Sequence, residues 1–295
     1  MKKSSTGQLQ YSPSDLMTYL ASPFASWMDR YHLECPGSIT PDELTEDDKL
    51  IARTGAEHER AVLGDMRTAG RAIVEVSTRN FAQAQAQTRS AVTAEAPVIY
   101  QAALCDGPFF GFADFLLLDE RGLYQVWDTK LARSSKPYYA IQLCCYSDML
   151  SSVSGRLPQT FGVILGSKER VMFRLESFIH YYRHAKKTFL DLQDRFTGNL
   201  RNRPLPFPRA EHGRWTSHAD RFFRDRDHLV LVANITSSQI RKLAKAGIHT
   251  TARRRLRNED SRARLDDARK IGRPSPPATA DGRSQARRPA SAAEP

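Results

Sequence analysis

The pattern of apolar and polar positions in the first part of the chain predicts helices around a single short strand. Ser12, followed by a proline and then by an acidic residue, is a typical helix start. Further helices are predicted over about residues 49–69 and, in a segment rich in Ala and Gln, over 82–95. Between them, the apolar residues within 73–76 predict a short strand.

The middle of the chain alternates groups of strands and helices. A turn at residues 119–122 connects the strands predicted at 109–118 and 123–128, so these two strands are expected to form a hairpin. The predicted strands are 98–104, 109–118, 123–128, 161–165 and 171–175, and the predicted helices are 138–153 and 177–196. This order indicates an α/β fold in which helices flank a mixed central sheet, rather than a run of βαβ units.

The pattern weakens towards the C-terminus. Residues 201–226 are rich in Arg, Pro and His without a clear period, and residues 228–250 hold a short apolar segment and a helix. The remainder is rich in Arg, Pro, Ser and Ala with few large apolar residues, which is typical of a disordered segment. The expected organisation is a folded domain over 1–200, a linker with a small ordered segment over 201–250, and a disordered basic C-terminal tail over 251–295.

The charge of the chain is basic and unevenly placed. The net charge is +11, and residues 251–295 carry 12 Lys and Arg against 6 Asp and Glu, a net of +6. The first 250 residues therefore carry only +5. A basic chain favours an anionic partner, and nucleic acid is the obvious one. A basic tail that contacts only solvent would have the same composition.

Cysteine content and hydropathy indicate a cytoplasmic protein. The four cysteines, Cys35, Cys105, Cys144 and Cys145, show no CxxC motif and no secreted disulfide framework. A reducing, intracellular setting fits this usage, and the adjacent Cys144 and Cys145 are expected to be small core residues. No apolar core of a signal peptide follows the basic start, and no apolar run approaches the ~20 residues of a membrane span. We therefore expect no membrane partner.

Two aspartates and a lysine form the candidate catalytic centre. Asp114 lies in the first strand of the predicted hairpin, and Asp128 and Lys130 follow the apolar second strand. Strand alternation places Asp128 and Lys130 on one face and Thr129 on the other. Carboxylates are ligands that Mg²⁺ and Mn²⁺ prefer, and an ammonium beside them can orient a water or stabilise charge on a phosphate. Together these groups suit metal-dependent hydrolysis of a phosphodiester.

The Asp-x-Lys pattern alone is weak, and the chain contains its own comparison. Asp47-Asp48-Lys49 matches the pattern too, but it lies in a polar segment with no strand before it. The copy at Asp128 and Lys130 follows a hairpin that carries Asp114. A surface salt bridge is the alternative interpretation of this second copy.

Gln142, Tyr146 and His58 are candidate binding residues. Gln142 and Tyr146 are four positions apart and share one face of a predicted helix, where an amide and a hydroxyl could contact a phosphate or a base. A helix-cap network or a partly buried tyrosine would explain the same pair. His58 lies within a predicted helix, and an ordinary surface or core histidine is the alternative to a functional one.

Together, four motifs resemble the RecB-like branch of the PD-(D/E)xK nuclease superfamily over about residues 10–195. In chain order they are GxxHE (Gly55–Glu59), GxxD (Gly111–Asp114), DxK (Asp128–Lys130) and QxxxY (Gln142–Tyr146). The resemblance implies a restriction-endonuclease-like fold and a metal site for Mg²⁺ or Mn²⁺. Its implied ligands are His58, Asp114, Asp128 and the carbonyl of Thr129. It also implies that Lys130 is the catalytic lysine and that Gln142 and Tyr146 contact DNA.

The chain departs from this family in two places. Many relatives hold an iron–sulfur cluster with four cysteines, whereas the corresponding positions here are Ser22 and the cysteine-free segment Glu211–Asp220. We therefore expect no iron–sulfur cluster. The other departure is the C-terminus, where Ile235–Thr250 resembles the first half of a helix-hairpin-helix and then gives way to the basic tail.

The sequence therefore predicts a metal-dependent DNA nuclease of DNA repair or recombination, with DNA and, as a further candidate, a helicase as partners. An inactive relative that binds DNA or a helicase without cutting is one alternative, and a structural protein that keeps the fold for its surface is another. Asp114, Asp128 and Lys130 favour the enzyme, because a decayed site should lose a carboxylate first.

Overall fold

A computed structural model describes residues 1–4 and 6–252 of the chain. The chain divides into two units, Met1–Phe223 and a second that begins at Arg224. The α-helices of the described residues are α1 (Pro13–Ala21), α2 (Pro23–Glu34), α3 (Glu46–Thr68), α4 (Phe81–Thr93), α5 (Pro137–Ser154), α6 (Ile179–Asp194), α7 (Thr216–Asp225) and α8 (Ser237–Lys245). The β-strands are β1 (Lys2–Lys3), β2 (Leu9–Gln10), β3 (Ile73–Glu75), β4 (Val98–Asp106), β5 (Phe109–Leu118), β6 (Tyr124–Lys130), β7 (Thr160–Leu165) and β8 (Arg170–Arg174).

Six strands of the first unit form one mixed sheet in the order β3-β4-β5-β6-β7-β8. β3 and β4 are parallel, as are β6 and β7, and the other neighbours are antiparallel. Each parallel pair is connected through a helix, α4 in the first case and α5 in the second, because parallel strands need a crossover connection. The predicted α/β class, with helices around a mixed sheet, is confirmed.

Different helices cover the two faces of the sheet. On one face, Val62 and Leu63 of α3 pack with Trp127 of β6. The opposite face carries the larger buried apolar cluster, to which α5 contributes more side chains than α1, α4 or α6. Cys144 and Cys145 of α5 are fully buried there, as predicted for small core residues. The strand ends that carry the candidate site therefore lie between two packed layers.

Capping residues decide where α1 and α3 begin. At α1, the Ser12 hydroxyl accepts from the N–H of Asp15, and the Ser12 N–H donates to the Asp15 carboxylate over 2.7 Å. This capping box satisfies donors that the helix itself leaves unpaired. Thr45 and Asp48 form the same arrangement at α3, so the helix begins at Glu46, earlier than the apolar period near residue 49 predicts.

Two helices were not predicted from the sequence. α2 begins at Pro23, which the pattern shows only as a break, because a proline suits the first position of a helix. α7 is short and places the buried Phe222 and Phe223 among charged residues, which hides its period. Residues 201–223, predicted as linker, belong to the first unit, and Trp215 within them is fully buried.

The second unit has an apolar cluster of its own. The cluster consists of Leu229, Ile235 and Ile248, with Val232, Ile240 and Leu243 packed against it. The predicted helix is α8, and Gly247 turns the chain after it with a φ of +74°. Beyond Ala252, the predicted disordered tail lies outside the described residues. No helix in the described part of the chain is both long and apolar enough to cross a membrane.

Gly162 of β7 is expected to tolerate no side chain. A Cβ atom there would lie 2.4 Å from the ring of Trp127, which is buried. Gly162→Ala should therefore lower the free energy of unfolding by about 1–3 kcal/mol, the usual cost of overpacking a core. Urea denaturation is the measurement.

Gly64 of α3 is the matched control, because nothing lies within 4 Å of its Cβ position. Gly64→Ala should leave the free energy of unfolding unchanged or raise it by up to ~1 kcal/mol, the gain in helix propensity. Equal stabilities of the two variants would contradict the packing of Trp127 on β7.

Candidate active site

The central sheet forks between β5 and β6. The two strands pair as far as Phe115 and Trp127, and the next pair in this register would be Asp114 with Asp128. Beyond that point β6 continues beside β7. The Thr129 N–H donates to Asp114 Oδ2 over 2.8 Å, and the Thr129 hydroxyl donates to the same oxygen over 2.9 Å. At the fork, the Asp114 carboxylate therefore accepts the backbone hydrogen bond that a neighbouring strand would otherwise accept.

Gln101 of β4 lies opposite the fork in an unusual backbone conformation. Its φ is +54°, and the pairing of β4 with β5 skips Gln101 and Asp114. A positive φ is uncommon for a residue other than glycine and persists only where surrounding contacts hold it. The Gln101 amide donates a hydrogen bond to the Glu59 carboxylate of α3. The local distortion of the sheet thus falls at the strand position that carries Asp114.

Lys130 and Asp128 form a largely buried ion pair. Lys130 Nζ lies 2.5 Å from Asp128 Oδ2, and the two side chains are 24% and 9% exposed. They share a face, as strand alternation predicts, and they are not the exposed salt bridge of the alternative interpretation. Burial is the largest influence and alone would lower the pKa of Lys130, but the contact with the Asp128 carboxylate and the charge of Asp114 together outweigh it, so the pKa is raised. Asp128 Oδ2 is buried and accepts no well-directed hydrogen bond from any described residue, which leaves part of its acceptor capacity unfilled.

Carboxylates repel one another at this site. Burial, and after it the charge of Asp128, raises the pKa of Asp114 to about 7, although the Thr129 donors act in the opposite direction. Burial and the charge of Asp114 raise the pKa of Glu59 as well. Lys130 compensates one of these negative charges. The remaining negative charge favours a bound cation.

Tyr146 of α5 packs directly on the strand that carries Asp114. A Cβ atom at Gly111 would lie 3.1 Å from the Tyr146 ring and from its hydroxyl. The glycine of GxxD therefore leaves room for the tyrosine of QxxxY. Burial, followed by the charges of Asp128 and Asp114, raises the pKa of Tyr146 well above its ordinary value. Gln142 lies one turn earlier on α5 and is half-buried.

His58 lies beside the fork but is held by the backbone of β7. Its Nε2 is 3.4 Å from the carbonyl oxygen of Ile164, which pairs with Thr129. Within residues 1–4 and 6–252, no group of three or more His, Cys, Asp or Glu side chains is arranged to hold a metal ion. The predicted ligands His58, Asp114, Asp128 and Thr129 are therefore not assembled as a ready-made set. His58 contacts the β7 backbone, and Asp114 accepts hydrogen bonds from Thr129.

Glu59, Gln101 and Tyr139 belong to the site but were not among the predicted site residues. Glu59 directly follows His58 in the GxxHE motif, so the motif itself contained the signal. Tyr139 lies below the Lys130 ammonium, with 5.5 Å from Nζ to the ring centroid. Its position in the first turn of α5, just after the DxK strand, is a signal that could have been used. Gln101 carries no such sequence signal, because a glutamine does not indicate a positive φ.

The positions that the family resemblance aligns with iron–sulfur ligands meet in space. Ser22 Oγ lies 2.8 Å from His212 Nδ1, and His212 Nε2 lies 3.1 Å from the carbonyl oxygen of Phe207. Ser22 and His212 are both buried, and burial lowers the pKa of His212, which favours its neutral ring. A buried hydrogen bond therefore connects the two segments.

Comparison with known proteins assigns no family to the chain. No family model matches it, and no curated protein matches it. Among solved structures, a chain titled "Crystal structure of SSO0001" is similar, with 16% identity, coverage of 63% of this chain and 77% of that chain, and a TM-score of 0.27. A likeness of this degree supports no inference about fold or function. The functional conclusion therefore rests on the geometry of the site.

The raised pKa of Asp114 predicts that the metal-free protein loses stability as the pH rises. An unfolded aspartate titrates near ~3.9, whereas the pKa of Asp114 in the fold is raised to about 7. Folding therefore favours the protonated form, and stability falls between these two values as the pH increases. Asp114→Asn should remove this loss, so its stability relative to the wild type should be higher at about pH 8 than at about pH 5. Urea denaturation in a chelator measures it.

Asp48→Asn is the matched control. Hydrogen bonds from Thr45 lower the pKa of Asp48, so the stabilisation that its carboxylate provides is lost only below the ordinary pKa of an aspartate. Asp48→Asn should therefore change stability equally at about pH 5 and about pH 8. The same flat profile for Asp114→Asn would show that desolvation and the charge of Asp128 do not raise the pKa of Asp114 in the fold.

Proposed function

We propose that the chain is a metal-dependent DNA nuclease that hydrolyses phosphodiester bonds. The observation that carries the proposal is the fork, where the carboxylates of the half-buried Asp114 and the buried Asp128 meet beside the ammonium of Lys130. Buried charges are costly to fold, so their grouping on two adjacent strands calls for a function. Two carboxylates and an ammonium are the groups that phosphodiester hydrolysis with a divalent ion uses.

The donors at the fork suit Mg²⁺ or Mn²⁺. Asp114, Asp128 and Glu59 offer carboxylate oxygens and Thr129 a carbonyl oxygen, and both ions prefer oxygen. A cation would relieve the repulsion that raises the pKa of Asp114, and it would use the acceptor capacity that the described residues leave unfilled at Asp128 Oδ2. His58 stays a candidate ligand through Nε2, which would first have to leave the β7 backbone.

Lys130, Tyr146 and Gln142 are the residues that would act on the phosphate. A bound ion would lower the pKa of a water and neutralise charge on the phosphate. In the hydrolysis, the water oxygen bonds to phosphorus, the bond from phosphorus to the leaving sugar oxygen breaks, and a proton passes to that oxygen. Lys130, held by Asp128, would orient the water or stabilise the phosphate oxygens. Tyr146 stays protonated because its pKa is raised, so it can donate a hydrogen bond, as can the Gln142 amide.

DNA is the proposed substrate. The net charge of +11 favours a polyanion. In the second unit, α8 and the Gly247 turn are similar to half of a helix-hairpin-helix, whose turn offers backbone amides to phosphates. The family resemblance further supports a role in DNA repair or recombination, a helicase as partner and a cytoplasmic location, and all of these are part of the proposal.

Asp114→Asn and Asp128→Asn should each abolish cleavage while the protein stays folded. Each change removes a charged oxygen donor, and losses at or beside a metal site commonly cost about 10–100-fold or more in metal affinity or activity. The measurement is cleavage of labelled oligonucleotides with Mg²⁺, with Mn²⁺ and with chelator, with circular dichroism to check the fold. Wild-type rates in both variants would rule out this site. A wild-type protein that binds DNA but does not cut it with either ion would favour the inactive binding module.

Lys130→Met should slow cleavage without loss of metal binding, because the ammonium acts on water and phosphate. Removal of one donor to a developing negative charge costs roughly 100–1000-fold in rate. Lys49→Met is the matched control, since Lys49 belongs to the exposed Asp-x-Lys copy and pairs with Glu46 over 2.7 Å. Lys49→Met should change neither the cleavage rate nor the metal affinity. Cleavage rates and calorimetric Mn²⁺ titration compare the two, and lost Mn²⁺ affinity in Lys130→Met would assign the lysine to the metal site instead.

A further inference from the structure

A largely apolar groove with a volume of 780 Å³ lies in the first unit. It is formed by α1, the first turns of α5 and α6, and residues around 211–213, and its apolar walls include Met17, Ile141 and Phe178. Tyr138 and Tyr181 also line it, and these side chains are 48% and 58% exposed. The size is that of a site for a small organic group, typically about 300–1,000 Å³.

Tyr138 connects the groove to the proposed catalytic lysine. Its ring centroid lies 4.5 Å from that of Tyr139, and the Lys130 ammonium lies 5.5 Å from the Tyr139 centroid. On the other side, the Lys136 ammonium lies 5.9 Å from the Tyr138 centroid. The contacts therefore run from the Lys130 ammonium through the adjacent rings of Tyr139 and Tyr138 to the Lys136 ammonium. The groove and the fork are neighbouring parts of one surface.

We propose that this groove binds an unpaired nucleobase of the DNA strand whose adjacent phosphate lies at Lys130. The inference rests on the DNA-binding part of the proposed function. Aromatic side chains on which bases stack, combined with cations that follow the phosphates, are the means by which proteins hold single-stranded nucleic acid. Tyr138 and Tyr181 supply the stacking surfaces, and Lys130 and Lys136 supply the cations.

The apolar walls select an unpaired base. In a duplex the bases are stacked and paired inside the helix, so a base enters a separate groove only after it has been unpaired, at a cost of a few kcal/mol. A single-stranded or frayed end avoids that cost. The Ser14 and Glu211 side chains in the groove offer polar contacts to a base edge. An apolar peptide would also fit the walls, but it would make no use of the Lys130 and Lys136 ammonium groups that lie against Tyr139 and Tyr138.

Binding of the full-length protein to two oligonucleotides tests the proposal. One is a short oligo-dT, and the other has the same backbone without bases, both measured by fluorescence anisotropy in chelator to prevent cleavage. The wild type should bind oligo-dT more tightly than the abasic strand. Tyr138→Ala and Tyr181→Ala should each weaken oligo-dT binding by roughly 5–100-fold, the range for loss of one stacked base, and leave abasic binding unchanged.

Conservative and distant variants control for the fold. Tyr138→Phe and Tyr181→Phe keep the stacking ring and should bind oligo-dT like the wild type. Met172→Ala removes another exposed apolar side chain, 57% exposed on β8, and should bind like the wild type as well. Thermal unfolding of all variants separates an effect on binding from an effect on the fold.

Several results would overturn the base site. One is equal affinity of the wild type for oligo-dT and the abasic strand. Another is that the alanine variants lose affinity for both strands equally. A third is that the alanine variants bind oligo-dT as tightly as the wild type, which is the result expected of a groove for a peptide. A protein that prefers the base-containing strand yet cuts nothing with Mn²⁺ would support the base site and overturn the nuclease. A protein that binds neither strand would overturn both.

Discussion

The hydrogen bonds from Thr129 to Asp114 are the interaction on which the rest of the site depends. Where β6 leaves β5, the N–H of Thr129 needs an acceptor, and a buried donor without one would cost about 1–3 kcal/mol. The Asp114 carboxylate is that acceptor. The same contact holds the half-buried Asp114 near Asp128, so the fold gains a hydrogen bond but keeps the repulsion between the two carboxylates. Lys130 offsets this repulsion in part, because its ammonium lies against Asp128.

The layers around the sheet make this arrangement rigid. α3 reaches the fork from one face through Glu59 and its contact with Gln101. α5 reaches it from the other face through Tyr146, whose ring lies against Gly111. Both helices are anchored in apolar clusters, so the carboxylates, the ammonium and the tyrosine are positioned by packed elements and not by loops. Such support is what a site needs when small displacements decide its reactivity.

Local patterns in the sequence predict the strands of the site well, and long-range contacts account for what they miss. The turn at 119–122 and the alternation around Asp128 and Lys130 are properties of neighbouring residues, so β5, β6 and their shared hairpin could be predicted. The fork could not, because it depends on which strand β6 pairs with beyond Trp127. His58 and Glu59 are adjacent on α3, and only the packing of the helix on the sheet decides what each contacts.

The distinction between local patterns and long-range contacts also applies outside the site. α7 shows its buried face only when the rest of the first unit is in place, since Phe222 and Phe223 stand among arginines and aspartates. The left-handed backbone of Gln101 is likewise imposed by its surroundings. The strands and most helices were therefore easier to predict than the long-range contacts between them.

Gly111 and Tyr146 are coupled by packing. A Cβ atom at position 111 would lie 3.1 Å from the Tyr146 ring, so the ring would have to move by a few tenths of an ångström to accept it. A smaller residue at 146 alone would leave a void over the strand that carries Asp114, and interiors are too closely packed for such a void to go unfelt. Substitutions at these positions are consequently expected to be non-additive, so the effect of a change at one position depends on the residue at the other. The GxxD and QxxxY motifs are separate in sequence, but the contact between Gly111 and Tyr146 means that the two motifs are expected to change together.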